Sequence, residues 1–232
     1  MQSLHADTAP VLVLIPNSDQ REFEDSRVIK LVPSPSISTT TRLIKRCFDV
    51  IFSLLVMTAG LPFFLLLYLI AKFSSRGPAF YTQERLGLHS KPFTMYKFRS
   101  MYLNAEKFGP QLSSERDPRI TPWGRIIRRT RLDELPQFWN VFKGDMSIVG
   151  PRPERHHFAQ KIIVRNPNYK KLSHIKPGIT SIGQVHYGYA ENIDQMCERL
   201  KYDLLYLDKI SINTDLDIIY KTIRVVFQGK GQ

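Results

Sequence analysis

The chain has 232 residues, of which 43% are hydrophobic and 11% aromatic, enough to fold around its own core as one or two domains. Its two cysteines are too few for a disulfide framework or a zinc cluster, and they favour a reducing compartment. The formal net charge of +12 is carried by the part of the chain after residue 44. Such a basic protein attracts polyanions, which leaves nucleic acid, anionic lipid headgroups and phosphorylated small molecules as candidate ligands.

Residues 1–41 are expected to form a loosely ordered arm and linker. They contain one short apolar run, residues 11–15, followed by acidic side chains and by a segment rich in proline, serine and threonine, residues 33–40. The apolar run is too short for a secretory signal, and no basic region precedes it.

Residues 50–71 form a stretch of 22 residues without a charge. As a helix at about 1.5 Å per residue, this stretch matches the roughly 30 Å of a bilayer core. Pro62, near its midpoint, removes a backbone donor and kinks a helix, and basic side chains flank the stretch on both sides, so both ends favour the cytoplasm. These features predict a re-entrant helix over residues 42–76 that bends at Pro62. A straight span and a buried helix of a soluble protein are the alternatives. Asp49 is expected to pair with Arg46 or to lie among the headgroups.

The remaining residues, 77–232, are expected to form a domain of mixed structure. Two β-prone aromatic segments, residues 79–83 and 92–98, are separated by a glycine-containing turn, which is typical of a β-hairpin. Apolar residues at helical spacing follow. The predicted helical segments are residues 132–142, 192–208 and 216–227. The predicted fold class is therefore mainly α with a small β-hairpin (α+β).

Two adjacent carboxylates, Asp133 and Glu134, follow a run of arginines. Adjacent helix positions point roughly 100° apart, so the two side chains are expected to do different work. One can attack or accept a proton while the other holds a hard cation such as Mg²⁺, and the arginines can bind phosphate. From these residues alone, a capped amphipathic helix with a solvated charged face is the alternative.

Two stiff turns are further candidates for substrate binding. Residues 150–153 place Arg152 between two prolines, which fix the direction of its side chain toward a phosphate or nucleotide. Residues 176–184 combine backbone amides with the hydroxyl of Thr180. An ordinary stiff turn is the alternative for each. The sequence Asp215-Leu216-Asp217 imitates a metal motif of glycosyltransferases, but it lies in an apolar helical pattern and is interpreted as part of a helix.

A series of blocks in a fixed order carries the strongest signal. The blocks are residues 45–49, the apolar run with Pro62, and residues 96–101, 132–137, 144–153 and 176–180. In this order they resemble the bacterial sugar transferases, the monotopic polyprenyl-phosphate phosphoglycosyl transferases that initiate exopolysaccharide and glycoconjugate synthesis. The resemblance extends from about residue 42 to the C-terminus.

The resemblance implies transfer of a sugar-1-phosphate from a nucleotide diphosphate sugar, usually a UDP-sugar, to undecaprenyl phosphate, with release of a nucleoside monophosphate. It implies that Asp133 is the nucleophile, which forms a covalent phosphosugar intermediate, and that Glu134 is linked to Mg²⁺. The residues expected to contact substrates are Lys97, Arg99, Arg128, Arg152, Thr180 and Gln184.

The resemblance also implies a monotopic protein at the cytoplasmic face of the bacterial inner membrane. Residues 42–76 would form the re-entrant helix, and residues 77–232 a catalytic domain with interfacial helices. The implied partners are undecaprenyl phosphate, the nucleotide sugar and membrane lipid, with a second copy of the chain and downstream glycosyltransferases as further candidates, and no nucleic acid. A membrane-anchored basic adaptor or scaffold without catalysis is the alternative function.

The membrane break departs from the family pattern. The family often has Ser-Pro at this point, where the hydroxyl satisfies a freed carbonyl, and this chain has Leu61-Pro62. Ser53 and Thr58 are the hydroxyls close in sequence to the break.

Overall fold

The computed structural model describes residues 37–107, 109–114 and 117–229. The arm predicted for residues 1–41 therefore lies outside the described residues except at its end, where residues 39–41 already belong to the first helix. Side-chain capping explains this earlier start, because the Ser38 hydroxyl accepts a hydrogen bond from the backbone N–H of Thr41 at 3.0 Å.

The uncharged segment forms two helices instead of one kinked helix. Helix α1 spans Thr39–Ala59 and helix α2 spans Leu61–Ser74, and the two are bent by 67° relative to each other. A Cβ at Gly60 would lie 2.4 Å from the Val56 carbonyl oxygen, so only glycine fits this junction. Pro62 lies in the first turn of α2, where its missing N–H leaves no helical bond unmade. The predicted bend is confirmed, and Gly60 contributes to it as well as Pro62.

A membrane role for these helices depends on the pair. No single helix among the described residues is long and apolar enough to span a bilayer, whereas α1 and α2 together meet the requirement of length and composition. Of the two hydroxyls near the break, the Thr58 side chain donates to the Leu54 carbonyl at 2.8 Å, and Ser53 is buried without a hydrogen-bond partner among the described residues.

The outer surface of the helix pair is apolar and exposed. Large hydrophobic side chains with more than two-fifths of their surface accessible are Leu43, Ile44, Ile51, Leu54, Leu55, Leu61, Phe63, Leu65, Leu66, Leu69 and Phe73. Continuous apolar surface of this extent marks contact with lipid or with another protein.

The predicted hairpin is confirmed. Strand β1, Phe80–Leu86, pairs antiparallel with strand β2, Pro92–Phe98, and Phe80 is opposite Phe98. Aromatic rings join the hairpin to α2, because the Phe80 ring lies 5.7 Å from that of Tyr68 and the Phe98 ring 6.3 Å from that of Phe64. The hairpin is thus packed directly on the second apolar helix.

A second, parallel pair of strands was not predicted. Strand β3, Ser147–Val149, runs beside strand β4, Gly178–Thr180, and brings the two stiff turns together. Strands of three residues carry no readable alternation of polar and apolar side chains. At the contact, a Cβ on Gly178 would lie 2.1 Å from the Gly150 backbone nitrogen, so the two turns approach as closely as backbone allows.

Replacing Gly178 with alanine is expected to destabilise the fold by about 1–3 kcal/mol or more, because the added methyl group overlaps the Gly150 backbone. Thermal unfolding of the purified variant measures the effect. Ile179→Val, in the same strand, removes one methyl group from a half-buried side chain and should cost only about 1 kcal/mol. Equal melting temperatures for the glycine variant and the unmodified chain would contradict this packing.

The apolar stripe predicted over residues 132–142 is divided. Helix α3, Pro122–Arg129, is followed by a 3₁₀ turn, Leu132–Glu134, and then by helix α4, Gln137–Lys143. The prediction of one continuous helix over residues 132–142 was wrong because residues 132–134 form a 3₁₀ turn and Pro136 has no backbone N–H to continue the helical hydrogen bonds, so α4 begins only at Gln137.

The C-terminal half is helical, as predicted for its two longest segments. Helix α7 spans Ile193–Leu207 and helix α8 spans Ile212–Phe227, which confirms the helices predicted over residues 192–208 and 216–227. The shorter elements were not predicted, namely helix α5, His156–Arg165, a 3₁₀ segment, Pro167–His174, and helix α6, Ile182–His186.

The first turns of α1 are fixed to the domain by polar side chains. A carboxylate oxygen of the buried Asp49 accepts hydrogen bonds from the Ser147 hydroxyl at 3.1 Å and from the Ile148 backbone N–H at 2.9 Å. The Arg46 guanidinium donates to the carbonyls of Val141 and Phe142, in the last turn of α4, at 2.7 and 2.8 Å. Asp49 and Arg46 therefore contact the domain instead of forming the expected pair. Their hydrogen bonds satisfy backbone groups of β3 and α4 that face α1.

Lys45 and Asp215 form the third of these attachments. The Lys45 ammonium is paired with the buried Asp215 carboxylate of α8 and also donates to the Tyr206 hydroxyl at 3.0 Å. The prediction that Asp215 lies in a helix is confirmed, and Asp217 pairs with Lys221 on the exposed side of the same helix at 2.7 Å. This motif therefore has a structural role in holding α1.

Candidate active site

A cavity of about 570 Å³ opens beside the hairpin, and its walls come from distant parts of the chain. Lys97 of β2, Glu134 of the 3₁₀ turn, Arg152 after β3 and Gln184 of α6 all line it. A cavity of this volume accommodates a ligand of several hundred daltons.

The two predicted carboxylates are buried in the wall of this cavity. Asp133 is 6% exposed and Glu134 is 7% exposed. The Lys97 ammonium lies 2.7 Å from Glu134 Oε1 and 4.0 Å from Asp133 Oδ2. Lys97 is therefore within ion-pair distance of both carboxylates and closer to that of Glu134. The two acidic side chains thus have different surroundings, and their different roles stay a prediction.

Glu134 is held as a carboxylate by three cations. Arg152 Nη1 lies 3.4 Å from Oε1 and Arg131 Nη1 lies 3.6 Å from Oε2, in addition to the Lys97 contact. Burial alone would raise the pKa of Glu134, but the charges of Lys97, Arg152 and Arg131 outweigh it and hold that pKa far below the usual range. Glu134 is therefore ionised at neutral pH.

Asp133 has the opposite shift. Burial raises the pKa of Asp133 and the neighbouring Glu134 charge adds to the rise, with Lys97 opposing both. Burial also lowers the pKa of Lys97. As the pH falls, Asp133 takes up a proton before Glu134 does. A carboxylate with reduced solvation next to a fixed cation is a good nucleophile for an electron-poor phosphorus.

The carboxylates fit Mg²⁺ only in company with substrate oxygens. Glu134 Oε2 is buried and accepts no hydrogen bond from any residue that the structure describes, so it is available as a ligand. Within residues 37–107, 109–114 and 117–229, no cluster of three or more acidic, histidine or cysteine side chains could hold a metal ion by itself. Proteins usually bind Mg²⁺ through one or two carboxylates, and phosphate oxygens of the substrate complete the coordination.

Five of the six expected substrate residues line the cavity, namely Lys97, Arg99, Arg128, Arg152 and Gln184. The Gln184 carboxamide is 4% exposed, and its Oε1 accepts no hydrogen bond from the described part of the chain. Arg128 donates to the Ser113 hydroxyl at 3.0 Å, which sets the guanidinium along the cavity wall.

Arg99 and Thr180 each make a side-chain hydrogen bond away from the carboxylates. Arg99 borders the cavity, but its guanidinium donates to the Ser75 carbonyl at 2.7 Å and so caps the C-terminal end of α2. Thr180 is buried outside the cavity lining, with its hydroxyl 2.6 Å from that of Thr222 on α8. Arg99 and Thr180 thus each make a hydrogen bond within the protein, while Arg99 Nη1 is buried without a hydrogen-bond partner among the described residues.

A comparison with protein families decides the relationship of this chain to known proteins. The model of the bacterial sugar transferase family matches residues 40–229. The chain belongs to this family. The family resemblance read from the ordered blocks is thereby confirmed.

Curated relatives of this sugar transferase include enzymes from several bacteria. A UDP-N-acetylgalactosamine-undecaprenyl-phosphate N-acetylgalactosaminephosphotransferase of Aeromonas hydrophila is 37% identical over 90% of this chain and 48% of the relative. A UDP-glucose:undecaprenyl-phosphate glucose-1-phosphate transferase of Escherichia coli is 34% identical over 97% of this chain and 50% of the relative. An enzyme of the latter name from Caulobacter vibrioides is 36% identical over 82% of this chain and 72% of the relative. The chain spans about half the length of the first two relatives.

Sequence reasoning missed a part of the site in this sugar transferase. Arg131, inside the predicted arginine run but without an assigned role, contacts Glu134. Arg85 and Arg199 also line the cavity, and both approach the buried Glu154, Arg199 at 2.5 Å and Arg85 at 3.9 Å. Glu154 directly follows the 150–153 turn, which is a signal that could have been used. Nothing in the sequence marks Arg85 or Arg199.

Proposed function

We propose that this sugar transferase moves a sugar-1-phosphate from a nucleotide diphosphate sugar of the UDP-sugar class to undecaprenyl phosphate, as the first membrane step of polysaccharide or glycoconjugate assembly. The observation that carries the proposal is the buried Asp133–Glu134 pair in the wall of a cavity lined with cations. The activities for which the relatives are named use the same classes of donor and acceptor, which supports it.

In the proposed first step, a carboxylate oxygen of Asp133 attacks the phosphorus that carries the sugar. The bond from this phosphorus to the bridging oxygen breaks, and the nucleoside monophosphate leaves with the electron pair. In the second step, a phosphate oxygen of the polyprenyl phosphate attacks the same phosphorus and displaces Asp133, which gives the polyprenyl diphosphate sugar. Each step transfers a phosphoryl group, for which placement and charge stabilisation supply most of the catalysis.

The cations around the pair would bind the diphosphate of the donor. Arg128 and Arg152 line the cavity beside the carboxylates, and guanidinium groups bind phosphate oxygens in pairs. Glu134, with Asp133 beside it, would hold Mg²⁺, and the bound ion would offset negative charge on the diphosphate and on the leaving monophosphate.

The helix pair supports a site at the membrane surface. The acceptor combines a phosphate with a long apolar tail, so its phosphate lies at the headgroup plane of a bilayer. With α1 and α2 bent by 67° and apolar on their outer surface, a re-entrant arrangement from the cytoplasmic face would bring the cavity to that plane without a full span.

The test is release of nucleoside monophosphate by the protein in detergent or nanodiscs, given Mg²⁺, undecaprenyl phosphate and single nucleotide sugars. Release over many turnovers that requires both the lipid and Asp133 would support the proposal and identify the sugar. A folded, membrane-bound protein that releases nothing with a wide panel of donors would favour a scaffold without catalysis.

Replacing Gln184 with leucine is expected to raise the KM for the nucleotide sugar roughly tenfold, because the buried carboxamide oxygen has no hydrogen-bond partner among the described residues and would accept a hydrogen bond from the donor. The melting temperature should not fall, since the change removes an unsatisfied buried acceptor. Steady-state kinetics and thermal unfolding measure the two effects. Gln160→Leu, on α5 outside the cavity lining, is the matched control. An unchanged KM in the Gln184 variant would exclude this contact.

A further inference from the structure

The cavity has an apolar edge on the side of α2. Four large side chains line the cavity while they are substantially exposed: Phe80 at 44%, Tyr81 at 39%, Tyr102 at 51% and Leu103 at 61%. We refer to these four residues as the apolar rim. Exposed apolar side chains gathered at the edge of a cavity are unfavourable in water and indicate an apolar ligand or surface.

The apolar rim lies beside the second apolar helix. The Phe80 ring lies 5.7 Å from the Tyr68 ring of α2. A Cβ at Gly77, in the turn between α2 and β1, would lie 3.0 Å from both terminal methyl carbons of Leu103, so the Leu103 side chain covers this turn. Two members of the apolar rim therefore lie next to α2 or to the turn that follows it.

The rim is also fixed in place by the domain. The Tyr102 backbone N–H donates to the Arg119 carbonyl at 3.0 Å, and Met101 forms a β-bridge with Ile120. Tyr102 and the residue before it are thus held by backbone bonds, and Leu103 directly follows them.

The charge of the cavity selects one class of ligand for this rim. Lys97, Arg128, Arg131 and Arg152 line the same cavity as the rim residues. A ligand that satisfies both surfaces has an anionic group joined to an apolar chain. We propose that the apolar rim binds the first isoprene units of the polyprenyl phosphate acceptor, with its phosphate directed to the cationic wall. This inference rests on the proposed function and adds the place where the acceptor tail leaves the site.

The competing occupant is the base of the nucleotide sugar, which could stack on Tyr81 or Tyr102. Two observations favour the lipid chain. The rim adjoins α2, whose outer surface is the apolar one, and its most exposed member is the aliphatic Leu103. An aliphatic side chain contacts an isoprene chain well and offers no ring for stacking.

The experiment compares Leu103→Ser with Val164→Ser, a matched change at an aliphatic side chain of α5 that is 77% exposed and outside the cavity lining. We expect the KM for undecaprenyl phosphate to rise about tenfold in Leu103→Ser, the size expected when most of the burial of a leucine side chain is lost. The KM for the nucleotide sugar and flotation with vesicles of bacterial phospholipid should stay unchanged. Val164→Ser should change none of these. Tyr102→Ser is a second rim variant, to be used if Leu103→Ser does not fold.

Chain length separates the rim from general membrane attachment. Farnesyl phosphate, with three isoprene units, should show the same relative rise in KM as undecaprenyl phosphate, because the rim contacts only the units next to the phosphate. A rise confined to the nucleotide sugar would assign the rim to the base, and reduced flotation together with an effect only on the long lipid would assign it to the membrane surface. Either result overturns the inference.

Failure of the proposed function can be recognised independently. If the unmodified protein releases no nucleoside monophosphate with any donor, binding of farnesyl phosphate in detergent, measured by calorimetry, still tests the rim. Weaker binding to Leu103→Ser than to Val164→Ser then supports the lipid site without the reaction, and equal binding overturns it.

Discussion

Replacing Asp133 with asparagine should reduce nucleoside monophosphate release by at least about a thousandfold, because the amide keeps the shape of the side chain and lacks the nucleophilic oxygen. The protein should stay folded and associated with membranes, since the substituted group is in the cavity wall. Release of radiolabelled monophosphate at saturating substrates measures the loss. Incubation of the unmodified protein with the nucleotide sugar alone should also give up to one equivalent of monophosphate, together with a protein adduct of sugar phosphate mass.

Asp217→Asn is the control for this change. Asp217 is an exposed acid on α8 paired with Lys221, and it lies outside the cavity lining. Its variant should retain the rate of the unmodified protein. Substantial turnover by Asp133→Asn would rule out Asp133 as the nucleophile, and a monophosphate burst in that variant would place the attacking group elsewhere.

Replacing Glu134 with glutamine should lower kcat by about a hundredfold or more. The change removes the one charge that Lys97, Arg131 and Arg152 share, so the three cations repel one another and the proposed Mg²⁺ loses its carboxylate. The activity at subsaturating Mg²⁺ should fall further than at saturating Mg²⁺. A titration of the reaction rate against Mg²⁺ concentration, in both proteins, measures the shift.

A change at Glu198, exposed on α7 and paired with Lys201, serves as the comparison. Glu198→Gln should leave kcat and the Mg²⁺ dependence as they are, because exposed ion pairs contribute little. The same Mg²⁺ dependence in Glu134→Gln and in the unmodified protein would separate Glu134 from the metal, even if kcat fell.

Elements with a clear repeat in the sequence could be predicted. Helices α7 and α8 follow from helical spacing over many residues, and the hairpin from two β-prone aromatic segments around a glycine-containing turn. The left-handed Arg131 could not be predicted, since arginine has no preference for that conformation, yet it sets the turn that carries both carboxylates. The parallel pair β3 and β4 has three residues in each strand, and its pairing depends on the close approach of Gly150 and Gly178.

The site was predictable only in part, for the same reason. Asp133 and Glu134 are recognisable in the sequence, whereas the contact of Lys97 with Glu134 joins residues 37 positions apart. Arg99 is as basic as Lys97 and lies two residues further along, but it reaches the end of α2. The end of β2 lies between these two cations, and Lys97 alone of the two contacts Glu134. No local sequence pattern encodes this difference.

If α1 enters a membrane as proposed, the contacts that attach it to the domain set the distance between the cavity and the membrane surface. Lys45, Arg46 and Asp49 attach the N-terminal half of α1 to α8, α4 and β3, so the position of this helix relative to the domain is fixed by side-chain contacts. An added turn of helix after Asp49 would lengthen the part of α1 that enters the membrane. The distance between the reacting phosphorus and the membrane surface would stay unchanged. In the proposed re-entrant arrangement, these three side chains therefore determine how far the cavity lies from the membrane surface.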